Sequence, residues 1–234
     1  LFLCTAHGDS GHFLQENPFC EHTRIIDLSN EFRLKADSRF MGRKFGYGLP
    51  EVNRAKIVRA HDIANPGCFA TAIQLALAPL AANGLLNSDV HVHAITGSTG
   101  AGVKPSATTH FSWRADNLSY YKPFTHQHLG EIKETLTRLN GSLDHEIYFL
   151  PLRGNHTRGI FATAYTDFEG DLEQARRLYA DFYRSAAFTL LSDAPQVHMK
   201  MAVNTNKCVL GLHKHGNKLL ITSVIDNLIK GASG

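Results

Sequence analysis

Asn65-Pro66-Gly67-Cys68-Phe69-Ala70-Thr71-Ala72-Ile73-Gln74-Leu75-Ala76-Leu77-Ala78-Pro79-Leu80-Ala81-Ala82-Asn83-Gly84 is the stretch on which the fold turns. From Phe69 to Ala82 nearly every position is apolar, the pattern of a helix buried on all sides rather than laid on a surface. Asn65 suits an N-cap, Pro66 the first helical position and Asn83-Gly84 a stop, which places Cys68 about three residues into the helix. Upstream, three short apolar runs read as strands: Leu1 to Ala6, Arg24 to Leu28 and Lys56 to Ala64. His7 to Gly11 reads as a loop, and so does the polar stretch from Ser29 to Tyr47. Downstream, Asp89 to Thr96 alternates as a strand with Val90, Val92 and Ala94 on one face. Ile147 to Leu150 and Gly159 to Thr166 are further strands, and Val209–His213 with Leu219–Ser223 forms a hairpin around Gly216-Asn217. Leu129 to Leu139 and Asp171 to Ser185 are helices. The order predicts an α/β part followed by an α+β part.

Composition narrows the functional classes. With 234 residues, 43% hydrophobic and 19% charged, the chain can bury a core as one large domain or two modest ones and is not a disordered sequence. No apolar run approaches the ~18 residues of a membrane helix, and no basic segment with an apolar stretch marks a signal peptide. The net charge is +3 with the basic residues scattered, so nothing calls for nucleic acid. Cysteines at 4, 20, 68 and 208 form no Cys-x-x-Cys pair, which argues against a disulfide framework and for a reducing compartment. Asn155-His156-Thr157 fits a glycosylation sequon without the secretory context it needs. The chain opens on a core-like strand and closes on what reads as a helix just beginning at 226–232, so further sequence is expected on both sides.

Cys68 is the leading chemical candidate. Unpaired amides and the dipole at a helix start favour a thiolate there; a buried structural cysteine is the plain alternative. His126-Gln127-His128 followed by Glu131 offers the proton donor and acceptor that thiolate attack on an acyl group needs, or merely polar residues at a helix entry. Two further His-x-His pairs, His91/His93 and His213/His215, read as partly exposed strand positions. No spacing completes four metal ligands, so no metal is expected. Gly97-Ser98-Thr99-Gly100-Ala101-Gly102 suits close backbone approach to a ligand but is Gly-x-x-Gly-x-Gly, not the dinucleotide fingerprint. Arg33, Arg114, Arg153 and Arg158 could each bind an anion or simply face solvent. These residues by themselves describe a cysteine enzyme acting on an acyl compound, and a hydrolase, a transferase and a dehydrogenase all fit.

The segment Ile63 to Ala72, followed by Pro79, resembles the active-site signature of the N-acetyl-gamma-glutamyl-phosphate reductases, relatives of aspartate-semialdehyde dehydrogenase. Phe2 to Gly8 is similar to the family's cofactor-side strand and His-Gly loop, with Ala6 where proline is usual. Asp27 to Leu34 is similar to its Asp-Leu-Ser-x-Asp-Phe-Arg-Leu segment, with Glu31 for aspartate. The glycine loop, the set Tyr120, His126, His128 and Glu131, then Arg158-Gly159-Ile160 and Asp226 to Ala232 follow in order. The resemblance implies a partial Rossmann-like NADP-binding domain (1–66 and 225–234) and a mixed-sheet catalytic and oligomerisation domain (67–224). It implies NADPH-dependent reduction of N-acetyl-gamma-glutamyl phosphate through a Cys68 thioester, as a cytoplasmic step of arginine biosynthesis. His126 and His128 would transfer protons, supported by Tyr120 and Glu131. Arg33 and Arg158 would bind the substrate, and Thr5, His7, Gly100, Gly102 and Asn227 the cofactor. A homodimer or homotetramer is implied, and an N-succinyl or carrier-bound aminoadipyl substrate would use the same chemistry. The family's opening pyrophosphate-binding turn has no counterpart here. About 70 residues of a βαβαβ half are therefore expected before Leu1, and this piece is expected to bind NADPH poorly.

Overall fold

A computed structural model describes residues 1–6, 8–102 and 104–234, in two compact units at 1–67 and 68–234. Residues 225–234, expected with the first unit, fold with the second.

Unit 1 contains β1 (Phe2–Leu3), α1 (Ser10–Glu16), β2 (Ile26–Asp27), β3 (Arg39–Phe40), β4 (Arg43–Tyr47), α2 (Pro50–Arg59) and β5 (Asp62–Ala64). The strand order is β1-β2-β5-β4-β3, parallel except for the β3–β4 hairpin. Leu3, Leu14, Ile25, Phe32, Phe45 and Ala64 make its core. Three segments depart from the sequence reading. Ser10 and Gly11, read as loop, begin a helix over 10–16: Asp9 provides no side-chain cap, but the Glu31 carboxylate accepts the N–H groups of Ser10 (2.7 Å) and Gly11 (2.9 Å). The stretch 29–47 holds a hairpin, and Gly46 passes where a Cβ would lie 3.0 Å from that of Ala60. Residues 56–59 end α2, which Pro50 opens, and the following strand is only three residues long.

Unit 2 opens with α3 (Cys68–Ala82) and continues through β6 (Val90–Thr96), a 3₁₀ turn (Ser98–Ala101), α4 (Phe111–Arg114), β7 (Ser119–Tyr120), α5 (His128–Asn140) and β8 (Ile147–Arg153). β9 (Ile160–Asp167), α6 (Leu172–Phe182), β10 (Thr189–Leu191), β11 (Cys208–His215), β12 (Lys218–Ile225) and a π-type turn (Ile229–Ser233) complete it. The sheet runs β10-β11-β12-β9-β6-β8-β7, with β10–β11 and β6–β8 parallel and the other pairs antiparallel. The α/β plus α+β expectation holds.

α3 is buried from Phe69 to Ala81 and packs on α5, α6, β9 and β12. Pro79 has no N–H for the carbonyl of Leu75 four residues back. The Tyr183 hydroxyl donates to that carbonyl at 2.6 Å, and the Tyr179 hydroxyl donates to Ala76 O at 2.6 Å. α6, opened by an Asp171/Gln174 capping box, thus repairs with Tyr183 at its far end the gap that proline leaves in its neighbour. On β6, Val90, Val92 and Ala94 are buried as the alternation predicts. His91 faces the other way, stacked between Tyr148 (5.1 Å) and Tyr165 (4.9 Å).

Candidate active site

Cys68 is the first residue of α3, not the third, because Asn65 to Gly67 stay outside the helix. Its thiol therefore sits where the unpaired amides and the dipole of a fifteen-residue buried helix converge. The residue is half-buried and free of disulfides. Gly231 packs against it: a Cβ there would lie 2.8 Å from the Cys68 Cβ. The turn carrying Gly231 is organised by Asp226, whose buried carboxylate accepts the N–H groups of Asn204 (2.8 Å), Leu228 (2.8 Å) and Ile229 (3.1 Å) and the Arg158 guanidinium (3.1 Å). Burial alone would raise the Asp226 pKa, but these four donors outweigh it and hold it below the ordinary value.

Phe69 carries the site inward. Its ring meets His126 at 5.5 Å, His128 at 6.2 Å and Phe149 at 5.2 Å, all edge-on. His126 also contacts Tyr121 (5.6 Å), Phe149 (5.5 Å) and His128 (4.6 Å). Its Nδ1 accepts the backbone N–H of His128 at 3.2 Å, which leaves the ring proton on Nε2. Burial, then the charges of Lys122 and Arg153, lower its pKa to about 4, so the ring is neutral at physiological pH. His128 opens α5 with its Nε2 3.9 Å from Glu131 Oε1, one turn on and also buried.

Tyr121, not Tyr120, faces this cage. Tyr120 pairs with Leu152 on β7 and is 66% exposed. Adjacent residues of an extended segment point to opposite faces, so Tyr121 turns inward toward His126. Burial and the nearby Cys68 charge push its phenol up to about 12, keeping it protonated. Arg153 lies over the Tyr121 ring, 4.7 Å from its centroid. Sequence reasoning missed Tyr121 because a Tyr-Tyr pair does not say which ring is inside.

A family model described as the semialdehyde dehydrogenase dimerisation domain matches residues 68–227. Over its full length the chain is 59% identical to the N-acetyl-gamma-glutamyl-phosphate reductase of Christiangramia forsetii, covering 71% of that protein, and 57% identical to that of Flavobacterium johnsoniae, covering 72%. The chain belongs to the N-acetyl-gamma-glutamyl-phosphate reductase family. A solved aspartate semialdehyde dehydrogenase from Francisella tularensis shares the fold across the whole chain and 78% of its own, with a TM-score of 0.72 at 14% identity. Another, from Vibrio cholerae, has a TM-score of 0.70 at 14% identity over 99% of this chain and 75% of that one.

Of the other residues suggested by resemblance to the reductase family, Arg33 is buried, donating to the carbonyls of Asn65 (2.8 Å) and Leu28 (3.0 Å). It braces the segment leading to Cys68. Arg158 is committed to Asp226. The Asn227 amide accepts from Gly159 N–H (2.7 Å) and donates to Thr99 Oγ1 (3.0 Å), tying the glycine loop to the end of β12 rather than presenting itself to a ligand. A Cβ on Gly100 would lie 2.9 Å from Thr96 Oγ1, whereas Gly102, at φ +78°, has open space where a side chain would stand. In unit 1, Thr5 Oγ1 meets Ser10 Oγ at 2.5 Å, and Ser10 donates onward to Asp27 at 2.6 Å. His7 lies outside the described residues. Gly8, at φ +93°, stands in open space in the loop beyond β1, at the carboxyl end of a parallel sheet. That is where open α/β sheets receive nucleotides, so unit 1 fits part of a dinucleotide. Among the described residues, no group of three His, Cys, Asp or Glu side chains could hold a metal ion, and no helix is long and apolar enough to cross a membrane.

Proposed function

We propose that this chain carries the reaction named for its curated relatives, reduction of an N-acyl-gamma-glutamyl phosphate to the semialdehyde with release of phosphate, in arginine biosynthesis. One observation carries the reading: a half-buried cysteine outside any disulfide begins a long buried helix beside two caged imidazoles. The Cys68 sulfur bonds to the acyl carbon while the carbon–oxygen bond to phosphate breaks, leaving a thioester. NADPH, when bound, supplies the hydride that a thioester can accept and a carboxylate cannot. Reduction restores the Cys68 sulfur and frees the semialdehyde.

His126, neutral with its proton on Nε2, is suited to donate a hydrogen bond to the carbonyl oxygen rather than to take up a proton. Proton transfer then falls to His128, whose neighbouring carboxylate Glu131 can stabilise the imidazolium. Tyr121, a protonated phenol facing His126, takes the supporting role expected of Tyr120. Arg33 and Arg158 support the reaction by shaping the segments on either side of Cys68. For the cofactor we assign Thr5 and His7 in unit 1; in unit 2 we assign Gly100, which packs on Thr96, Gly102, whose backbone is open, and Asn227, which orders their loop. The four cysteines form no disulfide, which suits a reducing compartment, and we place the step in the cytoplasm. The match to a dimerisation domain supports a homodimer or homotetramer formed through unit 2.

The test runs the reaction backwards in the full-length protein with N-acetylglutamate semialdehyde, NADP and phosphate, beside the N-succinyl analogue. Phosphate-dependent formation of NADPH is expected. Turnover without a nicotinamide would turn the reading toward an acyltransferase or hydrolase, and activity confined to the N-succinyl compound would correct the acyl group.

A further inference from the structure

Arg153 stands out among the arginines of unit 2. It ends β8, whose alternation places Ile147, Phe149, Pro151 and Arg153 on one face. Phe149 of that face packs on Phe69 and His126. Arg153 sits over the Tyr121 ring, and its charge reaches both Tyr121 and His126. Five residues on, Arg158 has a carboxylate in Asp226. Arg153 has no ion pair among the described residues; its guanidinium hydrogen-bonds the Tyr121 phenol, and its buried Nε, like that of Arg158, has no partner there.

The charged neighbour it does have is of the same sign. Arg114 is buried and donates to the Arg153 carbonyl at 2.5 Å and to Ser119 Oγ at 2.9 Å, with its own Nε unmatched. Burial and the Arg153 charge together lower the Arg114 pKa. Two guanidinium groups drawn together, Arg114 buried and Arg153 partly so, repel each other unless an anion completes them. The planar fork of arginine matches a carboxylate or a phosphate.

We infer that Arg153, with Arg114 adding a second positive charge, receives an oxyanion of the substrate beside Cys68. The inference rests on the proposed reaction, whose substrate carries two chemically similar sources of that oxyanion, the transferred phosphate and a carboxylate.

The experiment measures alkylation of Cys68 by iodoacetamide, followed on the Cys68 peptide by mass spectrometry, in the intact protein. Inorganic phosphate or N-acetylglutamate is added as the protecting anion. We expect at least one of them to slow alkylation of the wild type, and Arg153→Gln to need about tenfold more of it for the same protection. The anion that loses its effect names the source. Arg153→Lys, which keeps a charge but not the fork, should need about threefold more and serves if the glutamine variant does not fold. Equal protection of wild type and both variants, or no protection of the wild type by either anion, overturns the assignment. Turnover is assayed on the same samples: normal protection without phosphate-dependent turnover would defeat the proposed reaction and leave the anion site standing.

Discussion

Two polar clusters in unit 2 look alike in composition and differ in completeness. Around Asp226 and Asn227 opposite charges are paired and the acceptors are filled: the carboxylate takes three backbone N–H groups and Arg158, whose Nε alone lacks a partner among the described residues, and the amide joins Gly159 to Thr99. Around His126, Tyr121 and Arg153 the polar groups are packed among aromatic rings, and the Arg153 guanidinium has a phenol and a second guanidinium beside it but no carboxylate among the described residues. A matched cluster holds a fold together; a mismatched one is kept for something that binds. Substitutions in the first should therefore cost stability, and in the second activity.

The sharpest break between the clusters is expected at Cys68. Cys68→Ser should lower phosphate-dependent turnover by about 10³-fold or more while leaving the thermal midpoint unchanged; retained turnover would remove the sulfur from the chemistry. Asp226→Ala should do the reverse. It strands Arg158 and three amides, so a loss of roughly 3–5 kcal/mol is expected in urea unfolding. A stable Asp226→Ala protein with normal unfolding would erase the distinction.

His126 sharpens the comparison through pH. Its folded pKa of about 4 lies below the ordinary 6.5, so the unfolded chain binds a proton over that interval and the folded protein does not. The sign follows: stability from this group is complete above about pH 6.5 and declines as pH falls toward 4, by about 3 kcal/mol in all. His126→Gln should flatten the pH dependence of the urea midpoint across that window; an unchanged slope would contradict a ring held neutral by burial. The smallest effect is expected at Tyr183→Phe, which strips the donor from the Leu75 carbonyl above Pro79 and should cost about 1 kcal/mol in unfolding without lowering turnover.

Legibility followed the range of the interactions. The buried helix, the alternation of β6, the turn at Gly216-Asn217 and the helix at 171–185 rest on local pattern, and all were readable. α1 was not, because its cap is Glu31, a carboxylate fifteen residues beyond the helix. The hairpin inside 29–47 was hidden because Gly46, which argues for a loop in sequence, is demanded there by Ala60. Cys68, His126, His128 and Glu131 were singled out by residue type and spacing. Arg153 and Arg158 were equivalent in sequence, and only the position of Asp226 separated them.

The amino-acid sequence determined which segments are buried, where the candidate nucleophile lies along the chain and which imidazoles accompany it, since apolar periodicity and motif spacing are properties of neighbouring residues. The tertiary structure alone decided that Tyr121 turns inward in place of Tyr120, that His126 carries its proton on Nε2, and that one arginine is neutralised while another is not. Those outcomes depend on which charges and donors meet across the sheet, and such meetings are set by packing between elements distant in the chain.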